Sequence, residues 1–136
     1  MARETEPIET TEQLKAAVQR RLPRGKENKI LAQLFQALRI EVNQELDALS
    51  AFLTQCPDVL KSGGRLVVMS YHSLEDRLVK NFMKTGNAEG KEDKDFFGNL
   101  NTPYTIITRK PIVPTDEEIE NNSRARSAKL RIAERK

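Results

Sequence analysis

The sequence is poor in the residues that build covalent or metal crosslinks. Among its 136 residues there is one cysteine, Cys56, and one histidine, His72. A lone cysteine excludes an internal disulfide, and with a lone histidine it leaves no ligand cluster for structural zinc. We therefore expect the fold to form without a disulfide or a bound metal.

Long apolar runs are also missing. Charged residues make up 32% of the chain and hydrophobic residues 38%, so we expect no transmembrane segment. The first residues, MARETEPIETTEQ, contain no basic region followed by an apolar run, so we expect no secretory signal. These features predict a soluble, globular, cytoplasmic protein.

The glycines do not form a nucleotide-binding loop. In GNAEGKE, Gly86 and Gly90 are one residue too close for a phosphate loop, and Glu92 stands where serine or threonine would hold magnesium. No G-x-G-x-x-G pattern occurs either. The residues themselves therefore predict no nucleotide or dinucleotide cradle.

Positive charge is concentrated at one end of the sequence. The formal net charge is only +3, but RARSAKLRIAERK (124–136) holds six basic residues and one acid, Glu134. Such a strip suits a phosphate-bearing partner, and it equally suits a solvated chain end.

Helical signals dominate the first 60 residues. Residues 1–9 predict a disordered lead, and Thr10 or Thr11 can cap a helix that ends before Pro23. From Glu27 onward, apolar residues recur at steps of three and four, which predicts one long helix disturbed or ended by Pro57. The residues on this apolar face are Leu31, Leu34, Phe35, Leu38, Val42, Leu46, Leu49 and Leu53.

The rest of the chain mixes strands and helices. RLVVMS (65–70) predicts a strand covered on both faces, and Ser73 three residues before Asp76 predicts the capped start of a helix. Residues 86–103 predict a long, mobile surface loop. YTIITRK (104–110) predicts a second strand.

Two further elements close the chain. Thr115 and Glu118 predict a capped helix over DEEIEN, and the alternation of Leu130 and Ile132 with polar neighbours predicts a last strand with one solvated face. The acids at helix starts, Glu75-Asp76 and 116–118, oppose the helix dipole and are expected to be structural.

His72 and Ser73 are the first candidate site residues. They follow directly after a predicted strand, where open α/β sheets gather ligand-binding loops, and a helix N-terminus offers free amides to anions. The alternative is that Ser73 is only a helix cap and His72 an ordinary turn residue.

Two polar pairs are candidates for contact with nucleic acid. Arg39 and Asn43, four residues apart on a helix, can together hold a phosphate or a base edge, or can make an interhelical hydrogen bond or salt bridge. Arg124 and Arg126 precede the last strand and suit an RNA or DNA backbone, or a solvated turn.

Three blocks carry a family resemblance: FQALRIEVNQEL (35–46), LKSGGRLVVMSYHSLEDRLVKNFM (60–83) and RARSAKLRIAER (124–135). Together they resemble the C-terminal part of the MraW/RsmH family, S-adenosylmethionine-dependent methyltransferases that modify N4 of a cytidine in bacterial small-subunit ribosomal RNA. The resemblance runs from about residue 27 onward. Residues 10–26 look like the end of the helical insertion in the family's fold.

The resemblance implies an α/β fold, the C-terminal half of a class I (Rossmann-like) methyltransferase sheet preceded by part of an α-helical insertion. The strands RLVVMS, YTIITR and SAKLRIAE would be the fifth, sixth and seventh, with the seventh antiparallel between the other two. The implied organisation is a disordered lead (1–9), the end of the insertion (10–26) and the methyltransferase part (27–136) with one long helix, three strands and two shorter helices.

The resemblance also implies roles. The family's glycine-rich cofactor loop lies upstream, so this chain is expected to be a fragment, inactive alone and without the S-adenosylmethionine site. Its own residues would shape the cytidine pocket and contact ribosomal RNA. The residues expected to do so are Arg39, Asn43, His72, Ser73, Arg124 and Arg126, and no catalytic residue is assigned.

Such a fragment would expose the edge of its fifth strand and an apolar helix face, so we expect self-association into a homo-oligomer. Two other readings remain open. The chain can be a complete, non-enzymatic module that binds RNA or a protein, or a helical interaction protein whose long helix pairs with a partner.

Overall fold

Helices and strands alternate along residues 7–136, the part of the chain that the structure, a computed structural model, describes. Five α-helices in this part span Thr11–Gln19 (α1), Glu27–Asn43 (α2), Glu45–Val59 (α3), Ser73–Thr85 (α4) and Asp116–Asn121 (α5). The strands are Arg65–Ser70 (β1), Tyr104–Ile106 (β2) and Lys129–Arg135 (β3), and a 3-10 helix spans Ser123–Ser127.

The chain divides into two compact units, residues 1–45 and 46–136. Of the lead predicted as disordered, residues 1–6 lie outside the described part, and residues 7–9 are irregular. The predicted domain bounds at residues 10–26 and 27–136 refer to a longer protein and stay a prediction.

The first unit begins with a helix whose cap was predicted. The Thr10 hydroxyl accepts from the Gln13 N–H (3.2 Å), and the Gln13 side chain accepts from the Thr10 N–H (2.9 Å). This reciprocal pair satisfies backbone donors that the first turn leaves unpaired, which is why α1 begins at Thr11.

The single long helix predicted from Glu27 is wrong. α2 ends at Asn43, because Gln44 adopts the left-handed conformation (φ 50°, ψ 40°) and α3 starts at Glu45. The three- and four-residue apolar spacing continues across this break, so the pattern alone did not reveal it. Pro57 does not end α3, which continues to Val59.

The strain at Gln44 gives a testable prediction. A residue with a Cβ in the left-handed region costs roughly 1–2 kcal/mol, while glycine there adds about 0.5–1 kcal/mol of backbone entropy cost on folding. Gln44→Gly should therefore raise the free energy of unfolding by about 0.5–1 kcal/mol in urea denaturation. The matched control, Gln33→Gly inside α2, should lower it by about 1 kcal/mol, and a loss of stability in both variants would contradict the prediction.

The second unit contains a three-stranded sheet with β3 in the middle. β3 runs antiparallel to both neighbours, with Ile132 opposite Val67 of β1 and Glu134 opposite Thr105 of β2. The α/β class and the antiparallel central position of the last strand are as predicted. β2 is shorter than expected, although Ile107 still donates to the Ile132 carbonyl.

β1 is covered on one face only in the described part of the chain, so the prediction of a strand buried on both faces is wrong. Leu66 and Ser70 are buried, whereas Val67 and Met69 on the other face are each 53% exposed. The reason is that the core packs on the Leu66 side alone.

The core of the second unit joins α3, α4 and the sheet. Its buried members are Leu53, Cys56, Leu66, Val79, Phe82, Met83, Tyr104 and Ala133. The rings of Phe82 and Tyr104 pack at 6.1 Å between centroids, and burial raises the pKa of Tyr104 to about 12. No helix in the described residues combines the length and apolar character needed to span a membrane.

The face assigned to β3 as solvated is also wrong. Arg131 and Ala133 are buried, while Leu130 and Ile132 are partly exposed. The face of β3 that carries Ala133 packs on the core. Arg131 is buried on the same face because it pairs with Asp76 of α4. The alternation of apolar residues therefore predicted the wrong face.

The connection from α4 to β2 is irregular, and its predicted mobility stays a prediction. Its tip is a tight turn in which the Asp95 carboxylate accepts from the N–H groups of Phe97 (2.9 Å) and Asn99 (2.8 Å). The predicted cap of α5 is confirmed, since the Thr115 hydroxyl accepts from the Glu118 N–H (3.2 Å).

Candidate functional site

The turn between β1 and α4 holds the only histidine. His72 is the N-cap of α4, with its Nδ1 accepting from the Glu75 N–H at 3.4 Å and its carbonyl accepting from the Asp76 N–H at 3.1 Å. Ser73 is the first helical residue and is exposed. The expectation that Ser73 caps the helix is therefore wrong, because an imidazole nitrogen takes the place of the hydroxyl.

Glu75 fixes the other side of the same turn. One carboxylate oxygen lies 3.3 Å from His72 Nε2, and the other accepts from the Tyr71 N–H at 2.9 Å. The His72 side chain is only 11% exposed. The imidazole is therefore held in one orientation at the end of β1.

A buried ion pair ties the start of α4 to β3. The Asp76 carboxylate accepts from Arg131 Nε (2.7 Å) and Nη2 (3.1 Å), and Lys129 Nζ lies 3.3 Å away. The side chains of Asp76 and Arg131 are 11% and 9% exposed. The hydrogen bond from Arg131 lowers the pKa of Asp76, against the opposing effect of burial.

This ion pair positions the candidate site. Asp76 is in the first turn of α4, directly after His72 and Ser73, and Arg131 is in the central strand. The acid was predicted to be structural through the helix dipole alone. The structure adds a two-pronged contact with Arg131, which the sequence pattern did not indicate because it joins residues 55 positions apart.

Arg39 and Asn43 adopt the alternative given for them. Both donate to the Glu45 carboxylate, Arg39 through Nε (2.8 Å) and Nη2 (3.1 Å), and Asn43 through Nδ2 (3.3 Å). These contacts join the end of α2 to the first residue of α3. The Arg39 side chain is still 57% exposed, so its contact with RNA stays a prediction.

A groove of about 670 Å³ opens on the exposed face of β1, and we call it the Tyr71 groove. Its lining includes apolar side chains of β1 and β3 and of the segment before α5, and it also includes three polar side chains. The apolar ones include Met69, Leu130, Ile112 and Val113, and the polar ones are Glu118, Asn122 and Arg124. Tyr71 is 57% exposed and lines the groove at the end of the strand.

The structure groups only some of the predicted residues. His72 and Ser73 share one turn, and Tyr71 beside them lines the same groove as Arg124. Arg126 is exposed in the same 3-10 helix as Arg124. Sequence reasoning missed Tyr71, whose only signal was its place two residues after Met69 on the same strand face.

Comparison with known proteins gives the same family over the whole chain. The model of the MraW methylase family matches residues 1–136. A curated relative from Parabacteroides distasonis is 59% identical over 134 residues, 98% of this chain and 44% of the relative. One from Flavobacterium psychrophilum is 59% identical over 135 residues, which is 99% of this chain and 46% of the relative.

A third relative, from Bacteroides fragilis, is 56% identical over 135 residues, 99% of this chain and 44% of the relative. All three are named ribosomal RNA small subunit methyltransferase H. The chain thus spans less than half the length of the curated relatives it matches.

Proposed function

The chain belongs to the MraW methylase family, and we propose that it is part of an enzyme that methylates N4 of a cytidine in small-subunit ribosomal RNA with S-adenosylmethionine as donor. The observation that carries this proposal is the family match along all 136 residues. It favours an enzyme over a non-enzymatic RNA- or protein-binding module. The cytoplasmic location expected from the sequence is consistent with such a substrate.

In this proposal the three strands are the rear part of a Rossmann-like sheet, and the chain supplies its substrate side. The end of β1 supports this role, because ligands of open α/β sheets bind beyond the carboxyl ends of the strands. His72 and Ser73 lie there, and the exposed Arg124, which lines the same groove as the neighbouring Tyr71, and Arg126 would contact RNA phosphates.

The turn after β1 does not fit a cofactor cradle. The turn after β1 contains no glycine, and the Glu75 and Asp76 amides at the start of α4 already donate to His72. A cofactor phosphate or carboxylate would need such amides unpaired. We therefore assign S-adenosylmethionine to the other part of the full-length protein and derive no step through it here.

What this chain contributes is positioning. Methylation of an exocyclic amine requires the base to leave its stack and to be held in one orientation. The His72 imidazole is mostly buried, and its Nδ1 accepts from the Glu75 N–H; in this proposal it forms one wall for the base, and the arginines neutralise phosphates. Homo-oligomer formation through the outer edge of β1 or through an apolar helix face remains a prediction.

The role of His72 is tested with variants of the full-length protein that separate capping from substrate contact. Serine is a good N-cap, so His72→Ser should keep the thermal stability while kcat/KM on unmodified small ribosomal subunits falls about 10-fold or more. His72→Ala should lose the same activity and, in addition, about 1 kcal/mol of stability. N4-methylcytidine is measured by mass spectrometry of digested RNA.

The outcomes are distinct. Unchanged kcat/KM in His72→Ser removes His72 from the substrate site and leaves the proposed function in place. Failure of the wild-type full-length protein to form N4-methylcytidine in small-subunit RNA refutes the proposed function itself.

A further inference from the structure

The Tyr71 groove has a chemical character that the proposed cytidine site does not use. Most of its lining residues are apolar, and four of them are more than half exposed. These are Met69 (53%), Tyr71 (57%), Ile112 (51%) and Val113 (58%). The polar side chains of its lining are Glu118, Asn122 and Arg124, in addition to the Tyr71 hydroxyl.

This arrangement matches the parts of a nucleotide. The exposed Tyr71 ring offers a stacking face to a base, and the aliphatic Ile112 and Val113 offer further apolar contact. The Asn122 amide and the Glu118 carboxylate supply a donor and an acceptor for a base edge. A volume of about 670 Å³ is within the usual range of ligand sites.

The charges near the groove favour a phosphate outside it. Arg124 lines the groove, and Arg126 is exposed in the same short helix. Arg109 and Lys110, both exposed, come shortly before the lining residues 112–114 in the sequence. The four acids of α5 oppose them in part, but Arg124 itself lines the groove, which suits one backbone phosphate.

The groove and the proposed target site are neighbours and are separate. Tyr71 and His72 are consecutive, so their Cα atoms are about 3.8 Å apart. Yet Tyr71 lines the groove, whereas His72 caps α4 and is not among the groove's lining residues. One flipped base does not occupy both places.

We propose that the Tyr71 groove binds the base of an unpaired nucleotide next to the target cytidine, stacked on Tyr71, with its phosphate facing Arg124. This inference rests on the proposed function, since it takes single-stranded ribosomal RNA as the substrate. It adds a second nucleotide subsite, which fixes the register of the RNA relative to the target.

The first test measures RNA affinity of the full-length protein by fluorescence anisotropy. The probe is a labelled single-stranded RNA that carries the target cytidine and its neighbours. Tyr71→Leu should weaken binding about 5- to 150-fold, the range for loss of one base stack, while Tyr71→Phe stays within about twofold. The control Val67→Ala, on the same face of β1 but outside the groove, should leave affinity unchanged.

The second test locates the nucleotide directly. The same RNA is prepared with a photoreactive 4-thiouridine on either side of the target, irradiated with the wild-type protein, and the crosslinked peptide is identified by mass spectrometry. A crosslink from a flanking position to Tyr71 or to residues 112–114 supports the subsite. Crosslinks to this groove from the target position alone overturn it.

Failure of this inference is distinguishable from failure of the proposed function. If the wild-type protein methylates small subunits and Tyr71→Leu binds RNA as tightly as Tyr71→Phe, the subsite is refuted and the function stands. If Tyr71→Leu lowers Tm but not RNA affinity, the groove is covered by another part of the polypeptide and the inference is also refuted. Absence of methylation by the wild type refutes the function.

Discussion

Asp76→Ala in the full-length protein is expected to lower the free energy of unfolding by about 3–5 kcal/mol, the range for breaking a buried ion pair. The variant leaves the Arg131 guanidinium, 9% exposed, without the carboxylate that now accepts two of its N–H groups. Urea denaturation followed by circular dichroism measures the effect.

Two controls test whether the loss of stability comes from the burial of the Asp76–Arg131 pair or from the loss of any charged side chain. Glu92 contacts Lys84 and Lys94 on the surface, and the hydrogen bond from Lys84 above all lowers its pKa to about 2. Because that cluster is solvated, Glu92→Ala should change stability little. The double variant Asp76→Leu with Arg131→Met should recover most of the loss, since it removes both buried charges together.

The same pair predicts a pH dependence. The pKa of Asp76 is lowered in the folded state, so the carboxylate contributes stability above its unfolded pKa of about 3.9 and loses it as pH falls through the folded value. The wild type should therefore lose stability below about pH 4, and Asp76→Ala should lose less over the same interval. Parallel pH profiles for the two proteins would contradict the role given to Asp76.

Local signals predicted the elements well, and long-range contacts account for the errors. The caps at Thr10 and Thr115 were predictable because each involves residues three apart. The break at Gln44 was not, because nothing in the spacing of apolar residues distinguishes a left-handed residue from a helical one. The buried face of β3 was missed because Arg131 is buried by its partner on α4, not by its own hydrophobicity.

Some features of the candidate site were likewise predictable from local sequence signals, and others were not. The position of His72 and Ser73 at the end of a strand followed from the switch between a continuous apolar run and a helical pattern. The sequence did not predict that the imidazole caps the helix, because serine is a preferred N-cap residue and histidine is not. The Tyr71 groove could not be predicted from the sequence. It is lined by residues near positions 70, 112 and 124, which come together only in the folded sheet with the strand order β1-β3-β2.

The second large effect is expected in the core. Phe82 is 2% exposed on α4 and packs against Tyr104 of β2. Phe82→Ala should lower the free energy of unfolding by about 3–5 kcal/mol, because it removes a buried ring and leaves a cavity. The matched control is Phe52→Ala on α3, where the ring is 55% exposed and the expected change is about 0.5 kcal/mol or less.

Tyr104 offers a control for the ring contact itself. Its hydroxyl is buried and has no hydrogen-bond partner among the described residues, so Tyr104→Phe keeps the ring pair and should cost less than about 1 kcal/mol. Phe82→Leu should lie between Phe82→Ala and the wild type, because leucine fills part of the cavity.

The Phe82 result also bears on the site. The apolar face of α4 that carries Phe82 is what holds the helix on the sheet, and the N-terminus of the same helix carries His72. If packing positions the site, Phe82→Leu should reduce methyl transfer to small subunits in the full-length protein at a temperature where it remains folded, with the larger change in kcat. An unchanged kcat in a folded, destabilised variant would mean that the Asp76–Arg131 pair alone positions the turn after β1.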